Sequence, residues 1–187
     1  MIHRAFLLYL LLLVGCANVP PVPQPVTRPP QTEYVPFVLS GRIAVQHDGN
    51  RSLSGVRWMH RAETDEILLL APLGQTMARI RSDMQGATLD MPFKHYVAKN
   101  ADELTQQVLG WSLPLSGLRY WVLALPAPKG AFDIEHDANG QVMLLSQDGW
   151  VIRYTRYAVQ TPDSLPLRLA MQRDGLEIQL LIDEWEI

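Results

Sequence analysis

Apolar and polar residues alternate along most of the chain after residue 36, which is the pattern of half-buried β-strands. The first such segment spans 37–46, and 53–59 is predicted to be its hairpin partner. The same period of two recurs toward the C-terminus. The further predicted strands are 67–71, 75–80, 87–91, 95–99, 141–146, 150–159, 165–171 and 176–182. The pattern therefore predicts a sheet of antiparallel strands joined by short turns.

Between residues 100 and 125 the apolar period changes to that of a helix. Asn100 and Glu103 are spaced almost as in a capping box and predict a helix start. Its apolar positions are Leu104, Val108 and Trp111. Pro114 is expected in the first turn of a second helix, which Pro126 and Pro128 would end. The apolar positions of this second helix are Leu115, Leu118, Trp121, Val122 and Leu125. Strands and helices together predict a mainly antiparallel β domain over 37–187, curled or barrel-like, with a central helical pair.

The segment Pro72-Leu73-Gly74 separates two strand-like runs and predicts a hairpin tip, since proline presets one turn dihedral and glycine allows positive φ. Leu73 is unusual there, because turn tips face water and usually carry polar residues. In one interpretation Leu73 folds back onto the core of its own hairpin. In the other, the tip contacts something apolar outside the protein. The pattern alone leaves both open.

Residues 1–15 have the pattern of a lipoprotein signal peptide. A basic start precedes an apolar run over 5–14, which is too short to cross a bilayer as a helix. The run ends in Leu13-Val14-Gly15-Cys16, which is similar to a bacterial lipobox, where the cysteine is lipidated and becomes the mature N-terminus. An ordinary secretory signal with a chance cysteine is the alternative. Ala17 is not the aspartate that retains such proteins in the inner membrane, which favours the outer membrane.

Residues 16–36 are rich in proline, which favours extended polyproline II and provides no core of its own. This segment is predicted to be a semi-rigid tether that could hold the body about 50 Å from the anchor, at roughly 3 Å per residue. The remaining part, about 150 residues long, is the size of one domain with a substantial core. Cys16 is the only cysteine, so no internal disulfide can form.

Composition and motifs argue against several function classes. The chain is 48% hydrophobic and 19% charged with a net charge of −3, so it lacks the basic face that nucleic-acid binding needs. No H-E-x-x-H, G-x-S-x-G, Ser-x-x-Lys, Walker or dinucleotide glycine motif occurs, which argues against an enzyme, a metal site or a cofactor. The adjacent acids Asp65-Glu66, Asp102-Glu103 and Asp183-Glu184 are interpreted as solvated.

Tryptophan is frequent for a domain of this size. The five tryptophans are Trp58, Trp111, Trp121, Trp150 and Trp185. Core packing would account for most of them. A curled sheet facing an apolar helix pair can instead leave an apolar cavity, with the helices acting as a lid.

Several segments, in order along the chain, share the motifs of one known family. They are LSGRIAV at 39–45, APLGQT at 71–76, LGWSLPL at 109–115, LRYW at 118–121 and WVIRY at 150–154. In these segments and in its lipobox the chain resembles the LolB family, the lipid-anchored outer-membrane receptors of lipoprotein sorting. The long proline-rich tether is the main departure from the family pattern.

The resemblance implies an open, incomplete antiparallel β-barrel with helices over an apolar cavity. It implies a receptor on the periplasmic face that takes lipoproteins from the carrier LolA, holds their acyl chains and releases them into the inner leaflet of the outer membrane. A monomer without cofactor or nucleotide is expected. The alternative is a lipid-anchored structural or inhibitory module without cargo, in which the apolar surfaces are only core.

The resemblance and the pattern together predict site residues. In the family a leucine on a protruding loop engages the membrane, and by motif this is Leu73, between Pro72 and Gly74. Cys16 is the expected lipidation site. The residues expected to line the acyl-chain cavity, chosen by strand parity and helical face, are Ile43, Trp58, Leu69, Ile80, Leu89, Trp111, Leu115, Leu118 and Trp121.

Overall fold

The computed structural model describes residues 27–28 and 35–187. The predicted signal peptide 1–15 and Cys16 lie outside the described residues, as does most of the predicted tether. In the described part the chain forms eleven strands and two helices. The strands are β1 Phe37–His47, β2 Asn50–Arg61, β3 Thr64–Leu70, β4 Thr76–Asp83, β5 Gly86–Met91, β6 Lys94–Ala98, β7 Phe132–His136, β8 Val142–Gln147, β9 Trp150–Tyr157, β10 Pro166–Arg173 and β11 Leu176–Glu186. The helices are α1 Ala101–Leu109 and α2 Leu115–Trp121.

All strands belong to one antiparallel sheet in the order β6-β5-β4-β3-β2-β1-β11-β10-β9-β8-β7. Within the described residues, the outermost strands β6 and β7 do not pair with each other, so the sheet stays open. Both helices lie in the connection between these two edge strands, and α1 packs on β4, β5 and β6. The predicted mainly antiparallel, incomplete barrel with helices is therefore confirmed.

The first strand of the body, β1, pairs with the last, β11. A bulge interrupts the β1–β11 register, because Ser40 pairs with Glu184 and Gly41 pairs with Ile182. The backbones approach so closely here that a Cβ on Gly41 would lie 2.1 Å from the carbonyl oxygen of Leu181. Only glycine fits this position without a backbone shift.

The helices differ from the sequence prediction at their ends. Asn100 caps α1 as predicted, since its side chain accepts a hydrogen bond of 2.8 Å from the Glu103 backbone N–H. Gly110, at φ +79°, ends α1 before Trp111. The second helix stops at Trp121 rather than continuing to residue 125, and the chain turns through Ala124 at φ +55°.

Two further differences concern strand β7 and the start of the body. Strand β7 was not predicted: Phe132 and Ile134 alternate with Asp133 and Glu135, but the strand is only five residues long and mostly exposed. Val35 is buried, so the packed body begins before residue 37. The described part of the tether contacts the body: Thr27 forms a β-bridge with Ser164, and the Arg28 guanidinium donates to the carbonyl oxygen of Ala124 at 3.0 Å. In the part of the chain that the structure describes, no helix has the length and apolarity to span a membrane.

Candidate functional site

An apolar cavity of about 210 Å³ lies between the inner face of the sheet and the two helices. One side chain in two along the central strands points into it, as the pleat requires. The strands contribute Leu39, Ile43, Val45, Ser52, Ser54, Val56, Trp58, Ile67, Leu69, Ile80, Met171, Ile178 and Leu180. The helices and the segments that follow them contribute Thr105, Leu109, Trp111, Leu113, Leu118 and Val122.

The chemistry of this lining suits an apolar ligand. None of the described residues that line the cavity is charged, and its hydroxyl groups are those of Ser52, Ser54 and Thr105. The Thr105 hydroxyl already donates to the Ala101 carbonyl at 2.8 Å and accepts from the Leu113 N–H at 2.8 Å. A charged ligand would lose its hydration here without compensation, whereas a hydrocarbon chain would not.

The cavity reaches the surface at one edge of the sheet. Val45, Ser52, Leu109 and Trp111 line both the cavity and an adjoining polar groove beside the β1–β2 turn. Antiparallel pairing places the turns at 48–49, 71–75, 92–93, 148–149 and 174–175 at this same end of the strands. This rim of strand ends and turns is here named the mouth edge. The opposite edge carries the turns at 62–63 and 84–85 and the loop 158–165.

The structure brings most of the predicted cavity residues together. Those that line the cavity are Ile43, Trp58, Leu69, Ile80, Trp111 and Leu118. Leu89, Leu115 and Trp121 do not line it, although all three are buried. Leu89 lies on β5, which α1 covers. The Trp121 indole points away, toward β8, and donates to the side-chain oxygen of Gln147 at 2.9 Å.

A buried carboxylate connects the cavity wall to α2. Asp65 on β3 accepts at one oxygen from the Trp58 indole N–H at 2.8 Å and lies 2.9 Å from His60 Nδ1 at the same oxygen. Its second oxygen accepts two hydrogen bonds from the Arg119 guanidinium of α2, at 2.8 Å and 2.7 Å. This contact fixes both a cavity-lining indole and the helix that covers the cavity.

The interpretation of Asp65 as a solvated acid is wrong, because its side chain is only 1% exposed. The prediction treated Asp65 and Glu66 as a solvent-exposed pair. Neighbouring residues of a strand point to opposite faces, however, and only Glu66 lies on the outer face, where Arg79 and Arg81 contact it. The available signal was the single charge of Arg119 within an apolar helix, which requires an acidic partner nearby.

Leu73 occupies the tip of the β3–β4 hairpin on the mouth edge. The Gly74 N–H donates to the Ala71 carbonyl at 2.8 Å, and Gly74 has φ +82°, as the turn pattern predicts. Leu73 is 86% exposed, so it does not fold back onto its own hairpin. The other interpretation of the sequence, contact with an apolar partner outside the protein, stays a prediction.

Within residues 27–28 and 35–187 no cluster of three or more His, Cys, Asp or Glu side chains could hold a metal ion. The site consists instead of the cavity, its mouth and the exposed tip. An open antiparallel sheet, two covering helices and an uncharged cavity define a class of protein, namely a binding protein for an apolar ligand.

Sequence comparison identifies the family within this class. The family described as Outer membrane lipoprotein LolB matches residues 36–185, and the chain belongs to this family. It is similar to the Outer-membrane lipoprotein LolB of Nitrosomonas europaea, with 39% identity covering 95% of this chain and 89% of the relative. It is also similar to the protein of the same name from Chromobacterium violaceum, with 39% identity over 100% of both chains.

A solved structure of a LolA superfamily protein from Nitrosomonas europaea has a related shape. The two chains are 9% identical, with a TM-score of 0.48 over 86% of this chain and 88% of the other. Nothing about function follows from that likeness. Family membership makes the chain a lipid-anchored lipoprotein of the outer membrane and a receptor of the lipoprotein-sorting class.

Proposed function

We propose that this protein accepts lipoproteins from a LolA-like periplasmic carrier, holds their acyl chains in the apolar cavity and inserts them into the inner leaflet of the outer membrane. The observation that carries the proposal is the shared location of two features: the cavity opens on the mouth edge, and Leu73 projects from that edge. A hydrocarbon chain leaving the cavity would therefore emerge beside the apolar tip.

The size of the cavity requires the helices to move during loading. Its volume of about 210 Å³ is below that of pockets for drug-sized ligands, roughly 300–1,000 Å³. The acyl chains of a lipoprotein need more room than this. Helices α1 and α2 cover one side of the cavity and lie in the connection between the edge strands β6 and β7, so they are the elements that can shift outward.

The exposed tip supplies a transient contact with lipid. Burying one leucine side chain contributes about 1.5–3 kcal/mol, which is enough to favour contact during release but too little to anchor the body. The permanent anchor in this proposal is Cys16, lipidated on sulfur. Loading and release exchange noncovalent contacts only, so no bond is made or broken and no nucleotide is used.

The proposal is tested by following a lipoprotein through two separate steps. The mature chain is mixed with cargo-loaded carrier and recovered by pull-down, and vesicles are then added. Leu73→Glu is expected to accept cargo at the normal rate and to release less than about a tenth as much into vesicles. Met84→Glu is the matched control, because Met84 is 85% exposed on the opposite edge.

Two results would contradict the proposal. Normal release by Leu73→Glu would show that the tip is not needed for delivery to the membrane. Failure of the unaltered, folded chain to take cargo from the carrier removes the receptor step and favours the structural module.

A further inference from the structure

The turn between β5 and β6 carries a second exposed apolar side chain on the mouth edge. Met91 pairs with Lys94, so Pro92 and Phe93 alone form the turn. Phe93 has a relative exposure of 107%, which leaves its whole ring in solvent. It is also larger and more exposed than Leu73. Nothing in the packing of the body requires a phenylalanine at this position.

The backbone conformation of Phe93 makes its presence more unusual. Its φ is +64°, the left-handed region, and a proline before a positive-φ residue is the arrangement of a type II turn. Glycine or asparagine normally occupies that position, because a bulky side chain is strained there. Phe93 is unfavourable both for turn geometry and for solvation, and residues of this kind cluster at functional sites.

Phe93 lies close to Leu73 in the architecture of the sheet. The β3–β4 and β5–β6 hairpins are neighbours in the strand order, and both tips lie on the mouth edge. Two strand spacings of about 4.8 Å separate the hairpins, so the tips are roughly 10 Å apart across the sheet, and the 71–75 turn extends beyond Thr76, the residue level with Phe93. One flat apolar surface could contact both tips at once.

The charges along the mouth edge indicate what that surface is. The two apolar tips, 71–77 and 91–94, contain no acidic residue, and the exposed Lys94 follows Phe93 directly. The remaining turns of the edge carry the exposed Asp48, Asp148 and Asp174, of which Asp174 lies 3.7 Å from Arg173 and Asp48 lies 3.4 Å from His47. Anionic lipid headgroups attract a lysine beside an inserted aromatic ring and repel the acidic turns.

We propose that Phe93 and Leu73 form a two-point contact with the phospholipid bilayer, with Lys94 at the headgroup level. This inference rests on the proposed function and adds to it a second membrane-contacting residue and a defined orientation. One corner of the mouth edge enters the lipid interface, while the acidic turns stay in water. Two contacts about 10 Å apart restrict how the cavity mouth faces the leaflet, which a single tip cannot do.

The contact is measured by the depth of a nitroxide label in the lipidated full-length protein. Cys16 is the only cysteine and its sulfur is acylated in this account, so an introduced cysteine is the single free thiol. The variants are Phe93→Cys, Leu73→Cys and, as the control on the opposite edge, Met84→Cys. The protein is reconstituted in phosphatidylethanolamine–phosphatidylglycerol vesicles, and label collisions with oxygen and with a water-soluble nickel chelate are compared.

Labels at positions 93 and 73 are expected to favour oxygen, while the label at 84 favours the nickel chelate. A label at 93 in water with the label at 73 in lipid overturns the two-point contact and leaves the proposed function standing. Labels at both positions in water overturn membrane engagement itself. Shielding of the label at 93 by the carrier without vesicles, and not by lipid, would assign Phe93 to a protein contact and also overturn the inference.

A second variant separates the contact from folding. Phe93→Gly suits the positive φ better than phenylalanine, so its melting temperature is expected to be equal or higher. Its release of cargo into vesicles is nevertheless expected to fall about tenfold, because one large apolar contact with lipid is lost. Normal release by this stably folded variant would overturn the inference, whatever the label reports.

Discussion

At the scale of single residues, consecutive positions of one strand face opposite environments. On β2, Ser54 lines the cavity, while Leu53 is 69% exposed on the outer face. A phenylalanine introduced at these two positions is therefore expected to have different effects. At position 54 it would occupy volume that the ligand needs, and at position 53 it would only add apolar surface. This pair provides a test of the cavity that does not depend on losing the fold.

Ser54→Phe is expected to reduce cargo uptake from the carrier at least about tenfold, because the added ring occupies space in a cavity of about 210 Å³. Leu53→Phe, the matched control, is expected to take up cargo normally. Pull-down of radiolabelled lipoprotein measures both. Equal uptake by the two variants would mean that cargo does not use this cavity.

Gly41 is required by the close approach of the β1 and β11 backbones and not by the geometry of a turn. Gly41→Ala is expected to lower the free energy of unfolding by at least about 2 kcal/mol, because its Cβ would collide with a carbonyl oxygen of β11. Gly55→Ala is the comparison, since its Cβ would meet the Leu70 side chain at 3.2 Å. Urea denaturation measures both, and an equal, small cost for the two variants would contradict the assigned role of the bulge.

At the scale of elements, the helices are attached to the sheet by a specific polar contact as well as by apolar packing. Asp65 is almost fully buried and accepts both of the hydrogen bonds that attach Arg119 of α2 to β3. Breaking a buried pair by removing one partner is costly because the other charge stays buried. The contact therefore limits how easily α2 leaves the cavity.

Arg119→Met is expected to destabilise the protein by about 3 kcal/mol, since the carboxylate of Asp65 loses its cationic partner. Arg42→Met, which removes the exposed ion pair with Asp183, is expected to cost less than about 1 kcal/mol. Chemical denaturation compares the two. A similar small effect at both sites would show that the buried pair does not hold the helix in place.

Most elements could be predicted from the sequence because the sheet has one buried and one exposed face, which makes strands visible as alternation. Strand β7 was missed because it is only five residues long and both of its faces are mostly solvent-exposed, although its sequence alternates. The same limit applies to the cavity. Parity assigns Leu89 to the inner face, but it does not reveal that α1 packs over β5 and fills the space there.

Polar burial was the other property that alternation could not predict. Asp65 is predicted to be solvent-exposed because its neighbour Glu66 is acidic. Its partner in the fold, Arg119, is distant in sequence and gives no local signal. The exposed tip was more accessible to prediction, because Pro72 and Gly74 define the turn locally. Phe93 was not singled out, although the predicted strands 87–91 and 95–99 place it in a turn as they do Leu73; its full exposure and positive φ appear only in the folded chain.

At the scale of the whole molecule, the two edges of the sheet differ in what they carry. The mouth edge carries the cavity opening and the exposed apolar tips. The described part of the tether is attached at the opposite edge, where Arg28 contacts the loop carrying Pro162. The eleven residues of β1 span about 36 Å between the edges. At the roughly 3 Å per residue of polyproline II, the chain from Cys16 to Thr27 reaches about 33 Å. This attachment therefore shortens the predicted reach of about 50 Å to roughly the length of β1.

The most direct test of the account locates the cargo chains on the protein. A lipoprotein carrying a photoreactive fatty acyl chain is transferred from the carrier to the mature chain, irradiated, and the crosslinked residues are identified by mass spectrometry. We expect crosslinks to cavity residues such as Ile43, Leu69 and Trp111. Crosslinks confined to the outer face, at Leu53 or Val97, would contradict it, because the cargo would then be carried without entering the cavity.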